Sequence, residues 1–471
     1  MNSLFSGDTI VAPATTPGTG AISIIRVSGP DCFDFCDAVV SLRHGSIAGS
    51  DPYTIHYGVV PELDDVLVSV FRAPNSYTGE DSVEISCHAS SYIAEELVRR
   101  LLAAGCRFAE PGEFTRRAFL NGKMDLAQAE AVADIISSTT EASHRVAFRQ
   151  LRGGFSSELH AIRNELLEMT SLLELELDFS EEDVEFADRS QLMGLLERSY
   201  DHVTSLADSF KYGNVIKNGV PVAIVGPTNV GKSTLLNTLV GEERALVSDI
   251  AGTTRDTVEE TFNLDGILFR FMDTAGIRET TETVEKMGIE RTYQKISEAE
   301  IILGVLDVNA DEFDLLNSCR RVLSKVDFSG QKVILCLNKA DKTTIEDANK
   351  KVNIINNFVK YFDNKVICIA SSAKHKTGIS SLCEAMKSFE SHLVSNSDST
   401  FITNIRHYDA LRQAASSLQD AHTALSNRIP SDLVAEDLRR AITSLNQILG
   451  QDIIDPESVL RSIFGKHCIG K

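Results

Sequence analysis

A chain of 471 residues, 43% hydrophobic and 24% charged, has room for two to four domains of roughly 100–200 residues each. Its net charge of −21 argues against a stand-alone nucleic-acid binder, because phosphate neutralisation by Lys and Arg supplies most non-specific affinity; an RNA carried mainly by a basic partner stays open. Nine thinly spread cysteines argue against a disulfide framework, no apolar stretch approaches the ~18–20 residues of a membrane span, and the first residues lack the basic and apolar regions of a secretory signal, so a cytoplasmic protein is expected.

Residues 1–121 read as mixed α/β. Strands are predicted at Ile10–Pro13, Ala21–Val27, Tyr53–Val60, Asp65–Phe71 and Ser82–Cys87, with a helix at Ser91–Ala104 and a glycine turn at Pro17–Gly20. Asn75–Asp81 is a polar loop, either a ligand loop or a turn. Cys32 and Cys36 are a close pair without further metal ligands, and two partly buried thiols are expected rather than zinc. From Met124 to about Tyr212, Ala, Leu and Glu dominate and apolar residues fall three and four apart (Leu126, Ala129, Val132, Ile136), which predicts several long helices. The acidic patch Glu174–Asp188 reads as a solvated turn.

Residues 219–391 alternate strand and helix, the mark of a doubly wound parallel sheet. Strands are predicted at Val220–Val225, Glu259–Asn263, Ile267–Met272, Ile301–Leu306, Lys332–Leu337 and Val366–Ile369. A polar hinge, Ser395–Thr400, leads into a second helical stretch, 405–450, expected to pack against 124–212 with the α/β unit inserted between them. The expected division is an α/β domain (1–121), a helical domain in two segments (122–218 and 392–471) and an inserted Ras-like P-loop domain (219–391).

Gly226-Pro-Thr-Asn-Val-Gly-Lys-Ser233 follows a strand and opens a helix. Backbone N–H groups and the helix N-terminus there favour a polyphosphate, Lys232 reaches its outer phosphates, and the Ser233 hydroxyl is a Mg²⁺ ligand. Asn229, Val230, Gly231 and Thr234 complete the predicted phosphate contacts. Asp273-Thr274-Ala275-Gly276 puts a carboxylate near the Mg²⁺ shell and a glycine N–H at the γ-phosphate. Gly252-Thr253-Thr254 supplies a second Mg²⁺ hydroxyl, Thr254, and the preceding Ser248-Asp249-Ile250-Ala251 belongs to the same nucleotide-binding loop. Asn338-Lys339-Ala340-Asp341 carries an aspartate that accepts the ring N–H and amino group of guanine, which adenine does not offer; Ser372-Ala373-Lys374 closes over the base. Five motifs in this order, at strand ends, specify a GTPase. Where a Ras-type enzyme has a water-orienting Gln after the Asp-x-x-Gly motif, this chain has Ile277 and then Arg278, so hydrolysis needs another polar group and another positive charge. Arg278 or Arg255 could supply the charge, or either could form a switch-loop salt bridge.

The chain resembles the tRNA-modifying GTPase family MnmE, also called TrmE. The resemblance rests on Asp8–Ala12, Ile25–Gly29, Asn75–Asp81, Pro111–Asn121, Lys123–Ala131, Ile250–Asp256 and the terminal Cys468-Ile-Gly-Lys471. It implies an N-terminal domain that dimerises and binds a 5-formyl- or methylene-tetrahydrofolate, a helical domain and a G domain. It also implies a homodimer working with the FAD-dependent partner MnmG, in a heterotetramer or larger complex, to install a (carboxymethyl)aminomethyl group on C5 of the wobble uridine of certain tRNAs. By the same resemblance, K⁺ replaces an arginine finger, held by Asn229, Ser248, Ile250 (through its carbonyl) and Thr253, while Glu285 orients the attacking water. The folate set matches Arg26, Glu84, Lys123 and Lys471. Two departures, Thr19 for a frequent Arg and His88-Ala-Ser90 for His-Gly-Gly, bear on that pocket's shape. Cys468, beside His467, is either a thiol near the folate or a packing residue. A ribosome-assembly GTPase predicts a basic KH-like appendage that the sequence lacks, and a folate enzyme with an incidental GTPase leaves the five motifs unexplained.

Overall fold

The computed structural model describes residues 7–178, 189–241, 260–272, 296–362, 365–390, 400–451 and 470. The chain forms two compact units. One comprises Met1–Ser137, Ala147–Val203 and Ala410–Lys471; the other comprises Ser138–Val146 and Thr204–Asp409.

The first unit is built on a seven-stranded sheet ordered β3-β4-β5-β6-β2-β1-β7. Its strands are β1 (Ile10–Pro13), β2 (Ile22–Ser28), β3 (Ser41–Leu42), β4 (Thr54–Val60), β5 (Asp64–Phe71), β6 (Ser82–His88) and β7 (Arg107–Phe108). Alternation sends Val66, Val68 and Val70 of β5, Val83 and Ile85 of β6, and Ile25 and Val27 of β2 into one core with Leu97 and Leu101 of the helix Ser91–Ala104. Each such side chain contributes about 2 kcal/mol by leaving water. Cys32 and Cys36 lie wholly inside this core rather than partly buried, because the short helix Cys32–Asp37 turns its Cys32, Phe33, Cys36 face onto the sheet. Burial pushes both thiols well above the ordinary range and keeps them protonated.

The helix Ser431–Leu449 buries Val434, Leu438, Ala441, Leu445 and Ile448, a four-three-four-three spacing that makes one apolar stripe. The stripe packs on the helices Gly154–Asp178 and Leu126–Ser137, and Arg163 Nε donates to Asn446 Oδ1 at 2.7 Å. Gly450 ends the helix in the left-handed region, and a Cβ there would press on Phe119 and Leu126. The acidic patch beyond Asp178 and the hinge before Thr400 lie outside the described residues.

The second unit holds a six-stranded sheet ordered β13-β12-β11-β8-β10-β9. Its strands are β8 (Val220–Val225), β9 (Glu260–Leu264), β10 (Ile267–Phe271), β11 (Ile301–Asp307), β12 (Lys332–Asn338) and β13 (Val366–Ala370). Ile301 through Leu306 are all buried, as expected of a parallel strand covered on both faces. β9 differs from the parallel expectation and runs antiparallel to β10. Asp265 and Gly266, both at positive φ, form a two-residue turn that returns the chain antiparallel.

Candidate functional site

The phosphate loop springs from the C-terminal end of β8, and the helix Lys232–Gly241 carries its anion-facing end. Two glycines permit its path. A Cβ on Gly226 would stand 2.1 Å from the Val305 carbonyl oxygen, and one on Gly231 would stand 2.4 Å from Asn338 Nδ2. Asn229 occupies the left-handed region with φ 61°, which Asn tolerates better than most residues. Lys232 Nζ donates to the carbonyls of Gly226 and Pro227, both at 2.8 Å, so the lysine curls over its own loop. Burial lowers its pKa, which makes a phosphate anion a better partner than the neutral carbonyls. Ser233 and Thr234 occupy the first turn of the helix.

The base side is built from the ends of β12 and β13. Asn338, 2% exposed, donates through Nδ2 to the Val230 carbonyl at 2.8 Å and accepts the Ala373 N–H through Oδ1 at 3.0 Å. One side chain therefore ties the phosphate loop to the Ser372–Lys374 turn. Thr238 Oγ1 donates to the Ala373 carbonyl at 3.0 Å and fastens the same turn from the helix. Asp341, in the 3-10 turn Ala340–Lys342, accepts from Ser372 Oγ at 2.6 Å, and this bond holds its carboxyl below the ordinary aspartate value. Asp341 is thus ionised and aimed. Lys339 sits at φ 65° with Nζ 2.8 Å from Asp307 Oδ2. Beside the phosphate loop is a cavity of about 420 Å³, lined among others by Thr228, Asn229, Asp307, Asp314, Arg321 and Lys339. Such a crevice at the C-terminal ends of parallel strands is where doubly wound sheets bind ligands.

Asn229 through Thr234, Asn338, Lys339, Asp341 and Ser372–Lys374 are thus brought together. Ser248, Asp249, Ile250, Ala251, Gly252, Thr253, Thr254, Asp273, Thr274, Ala275, Gly276 and Glu285 lie outside the described residues, as do Arg255, Ile277, Arg278, Cys468 and Lys471.

In the first unit, Arg26 and Glu84 face each other across β2 and β6 and are joined by two nitrogens, with both distances 2.9 Å. The guanidinium lies 5.2 Å from the Tyr77 ring centroid and 5.6 Å from that of Phe114, and donates to the Gly470 carbonyl at 3.2 Å. Gly470 therefore reaches the Arg26 side chain. Lys123 Nζ donates to the Pro74 carbonyl at 3.0 Å, and its stem lies under Gly79, so the loop 75–81 lies between Lys123 and Arg26. Next to Thr19, Gly20 N–H donates to the Ala89 carbonyl, and Ala89 N–H donates to that of Ala21, both at 3.3 Å. His88 Nδ1 lies 2.7 Å from Asp64 Oδ1.

Sequence reading missed Asp307, Thr238, Tyr77 and Phe114. Asp307 ends β11 in register with Asn338 ending β12, a pairing that appears only in the folded sheet. Tyr77 and Phe114 fall inside motifs whose residues were recognised only as a block.

A family model for the GTP-binding protein TrmE N-terminus matches residues 9–123, and one for the MnmE helical domain matches 126–468. A tRNA modification GTPase MnmE from Flavobacterium johnsoniae is 46% identical over 99% of this chain and 100% of its own. Proteins of the same description from Bacteroides fragilis and Flavobacterium psychrophilum are 46% and 47% identical, each over 98% of this chain and 99% of theirs. Among solved structures, the G domain of the T. maritima FeoB iron transporter covers 36% of this chain and 98% of its own at 22% identity, with a TM-score of 0.26. Matched end to end by relatives of one description and carrying both family domains, this chain belongs to the MnmE family.

Proposed function

We propose that this chain is a cytoplasmic GTP hydrolase of tRNA modification, activated by K⁺ when two G domains pair. With MnmG it adds a (carboxymethyl)aminomethyl group to C5 of the wobble uridine of certain tRNAs, using a tetrahydrofolate one-carbon unit. The division proposed is 1–121, 219–391 for the G domain, and 122–218 with 392–471 for the helical part.

The observation that carries the nucleotide reading is Asn338, which joins the phosphate loop to the turn beside Asp341. Asp341 accepts two guanine N–H groups; adenine leaves it unpaired. Lys232 exchanges its carbonyl partners for phosphate oxygens. Mg²⁺ and K⁺, when bound, supply positive charge where the transferring phosphoryl group gains negative charge. Ser233 and Thr254 are the Mg²⁺ residues of this reading, and Asn229, Ser248, Ile250 and Thr253 those of K⁺. Asn229 supports it by lying on the cavity side of the loop, where its side chain is available to a cation. Glu285 holds the attacking water.

For the folate, the Arg26–Glu84 pair offers a carboxylate to the pteridine N–H edge and Lys123 a cation to the glutamate tail, with Lys471 completing the set. An exposed apolar row on β4 and β5, formed by Ile55, Tyr57, Val59 and Leu67, supports a homodimer through the first unit. No helix among the described residues is long and apolar enough to cross a membrane.

GTP turnover in KCl against NaCl tests the reading. Faster hydrolysis in KCl is expected, and equal rates reject the cation role. Glu285→Ala should slow hydrolysis while GTP still binds. Nucleoside analysis of tRNA from a deletion strain should show wobble uridines lacking the modification.

A further inference from the structure

Lys339 is held in a conformation it would not adopt alone. Its backbone is left-handed at φ 65°, which a lysine rarely occupies without support. The support comes from Asp307 and Asn309, just past β11. Asp307 Oδ2 takes the Lys339 ammonium at 2.8 Å, while Asp307 Oδ1 accepts both the N–H of Asn309 at 2.9 Å and its Nδ2 at 3.1 Å. The same Nδ2 donates to the Lys339 carbonyl at 3.2 Å. Between them, Val308 N–H donates to the Asn338 carbonyl at 3.0 Å. Asp307 and Asn309 thus grip the lysine at both ends, its amine and its carbonyl, one residue from buried Asn338 and two from Asp341.

We propose that Asp307, with Asn309, is a positioning residue of the guanine-nucleotide site: it fixes Lys339 so that the lysine's methylene stem forms a floor under the base and ribose. The inference rests on reading Asn338–Asp341 as the guanine site. The two lysines of the site then divide their tasks. Lys232 rests on neutral carbonyls that a phosphate displaces readily. Lys339 already has its charge matched by a carboxylate and serves by its shape and direction. The carboxylate is suited to this because burial, which would raise its pKa, is outweighed by the Lys339 and Asn309 hydrogen bonds, leaving Asp307 charged across the working pH range.

Because Lys339 then acts on the base and ribose, which GDP and GTP share, losing Asp307 should weaken both nucleotides by the same factor. Asp307→Asn keeps the side chain's shape and an oxygen for Asn309 while removing the charge that holds the ammonium. Affinities of the full-length protein for GDP and for a non-hydrolysable GTP analogue are measured for Asp307→Asn, Lys339→Met and the double variant. The expected result is about a tenfold loss for each nucleotide in Asp307→Asn, and less than a twofold further loss when the change is made in Lys339→Met. An unchanged affinity, a loss confined to the GTP analogue, or a full tenfold loss surviving in the Lys339→Met background overturns the proposal. If Asp307→Asn fails to fold, Asn309→Ala serves instead, with a threefold loss expected for both nucleotides and no loss overturning it. Asp341→Asn, run in parallel, tests the underlying reading: it should lose GDP and gain xanthosine diphosphate, whose 2-carbonyl suits an amide donor. If Asp341→Asn leaves GDP binding intact, the guanine reading fails and the proposal with it. If it loses GDP while Asp307→Asn does not, only the proposal falls.

Discussion

Arg26 and Lys232, one cation from each unit, are held in opposite ways. Arg26, in the first unit, meets a carboxylate, a carbonyl and two aromatic rings, of which Tyr77 is anchored by a 2.8 Å bond to Thr115 Oγ1. Lys232, in the second, leans on two carbonyls of the loop it serves. The first arrangement is preorganised: little is lost in ordering when a ligand arrives, and little changes when it leaves. The second stores an exchange of partners, which suits a nucleotide whose phosphates change during the reaction cycle. The two side chains differ in what they do without a ligand: Arg26 is already paired with a carboxylate, while Lys232 leans on carbonyls it can exchange.

The change that should break this contrast most severely is Gly226→Ala. A Cβ 2.1 Å from the Val305 carbonyl, at φ 152°, forces β8 from β11 and removes the platform on which Lys232 turns. A loss of about 3 kcal/mol or more is expected in denaturant unfolding of the second unit, with the first unit's transition unmoved. Next is Arg26→Lys. A lysine ammonium lacks the planar guanidinium that places two nitrogens on Glu84 Oε1 and its carbon near the Tyr77 and Phe114 rings, so on the proposed folate reading binding of 5-formyl-tetrahydrofolate should weaken by at least about tenfold, or roughly 1.4 kcal/mol, in calorimetry. A lysine that binds as well as arginine would mean the enclosure is not what matters.

A third test is acid. In the first unit, Glu113, 1% exposed, is ringed by Arg107, Arg116 and Arg117, and Asp8 pairs with Arg107 and Arg117. Burial pushes both carboxyls upward, but hydrogen bonds from Arg107 and the charge of Arg117 outweigh it, so both titrate below their ordinary values of 4.5 and 3.8. A lowered folded pKa means the unfolded chain binds more protons. The stabilisation is therefore complete above the ordinary values and is lost as pH falls through the lowered ones. The first unit should unfold steeply below about pH 4, as followed by circular dichroism. The smallest expected effect is Thr238→Val, which removes one bond to the Ala373 carbonyl; about 1 kcal/mol of stability and a slight loss of guanine selectivity are expected.

Most strands were legible in the sequence because their patterns obey simple rules: alternation in β4, β5 and β6, continuous apolar runs in β11 and β12. The two-residue strands β3 and β7 carry no period to read. The helix Glu113–Leu120 was hidden for another reason. It buries Glu113, Arg116 and Arg117, which a hydrophobic pattern assigns to the surface, and only the folded chain brings Asp8, Glu80 and Arg107 to neutralise them. The candidate site was legible as motifs, since each motif is a local strand-to-loop passage. The bonds that assemble it, from Asn338 to Val230 and Ala373 and from Asp307 to Lys339, span tens of residues and leave no local trace.

The left-handed backbone at Asn229 sets two filters on one position. The dihedral admits Gly, Asn and Asp with ease and resists a β-branched residue, whatever the side chain does for a cation. Replacing Asn229 by Ala would confound the two demands, because alanine fails both. Glycine meets the backbone demand and abandons the other, so a loop carrying Asn229→Gly should fold and bind nucleotide while losing whatever discrimination among alkali ions the amide confers.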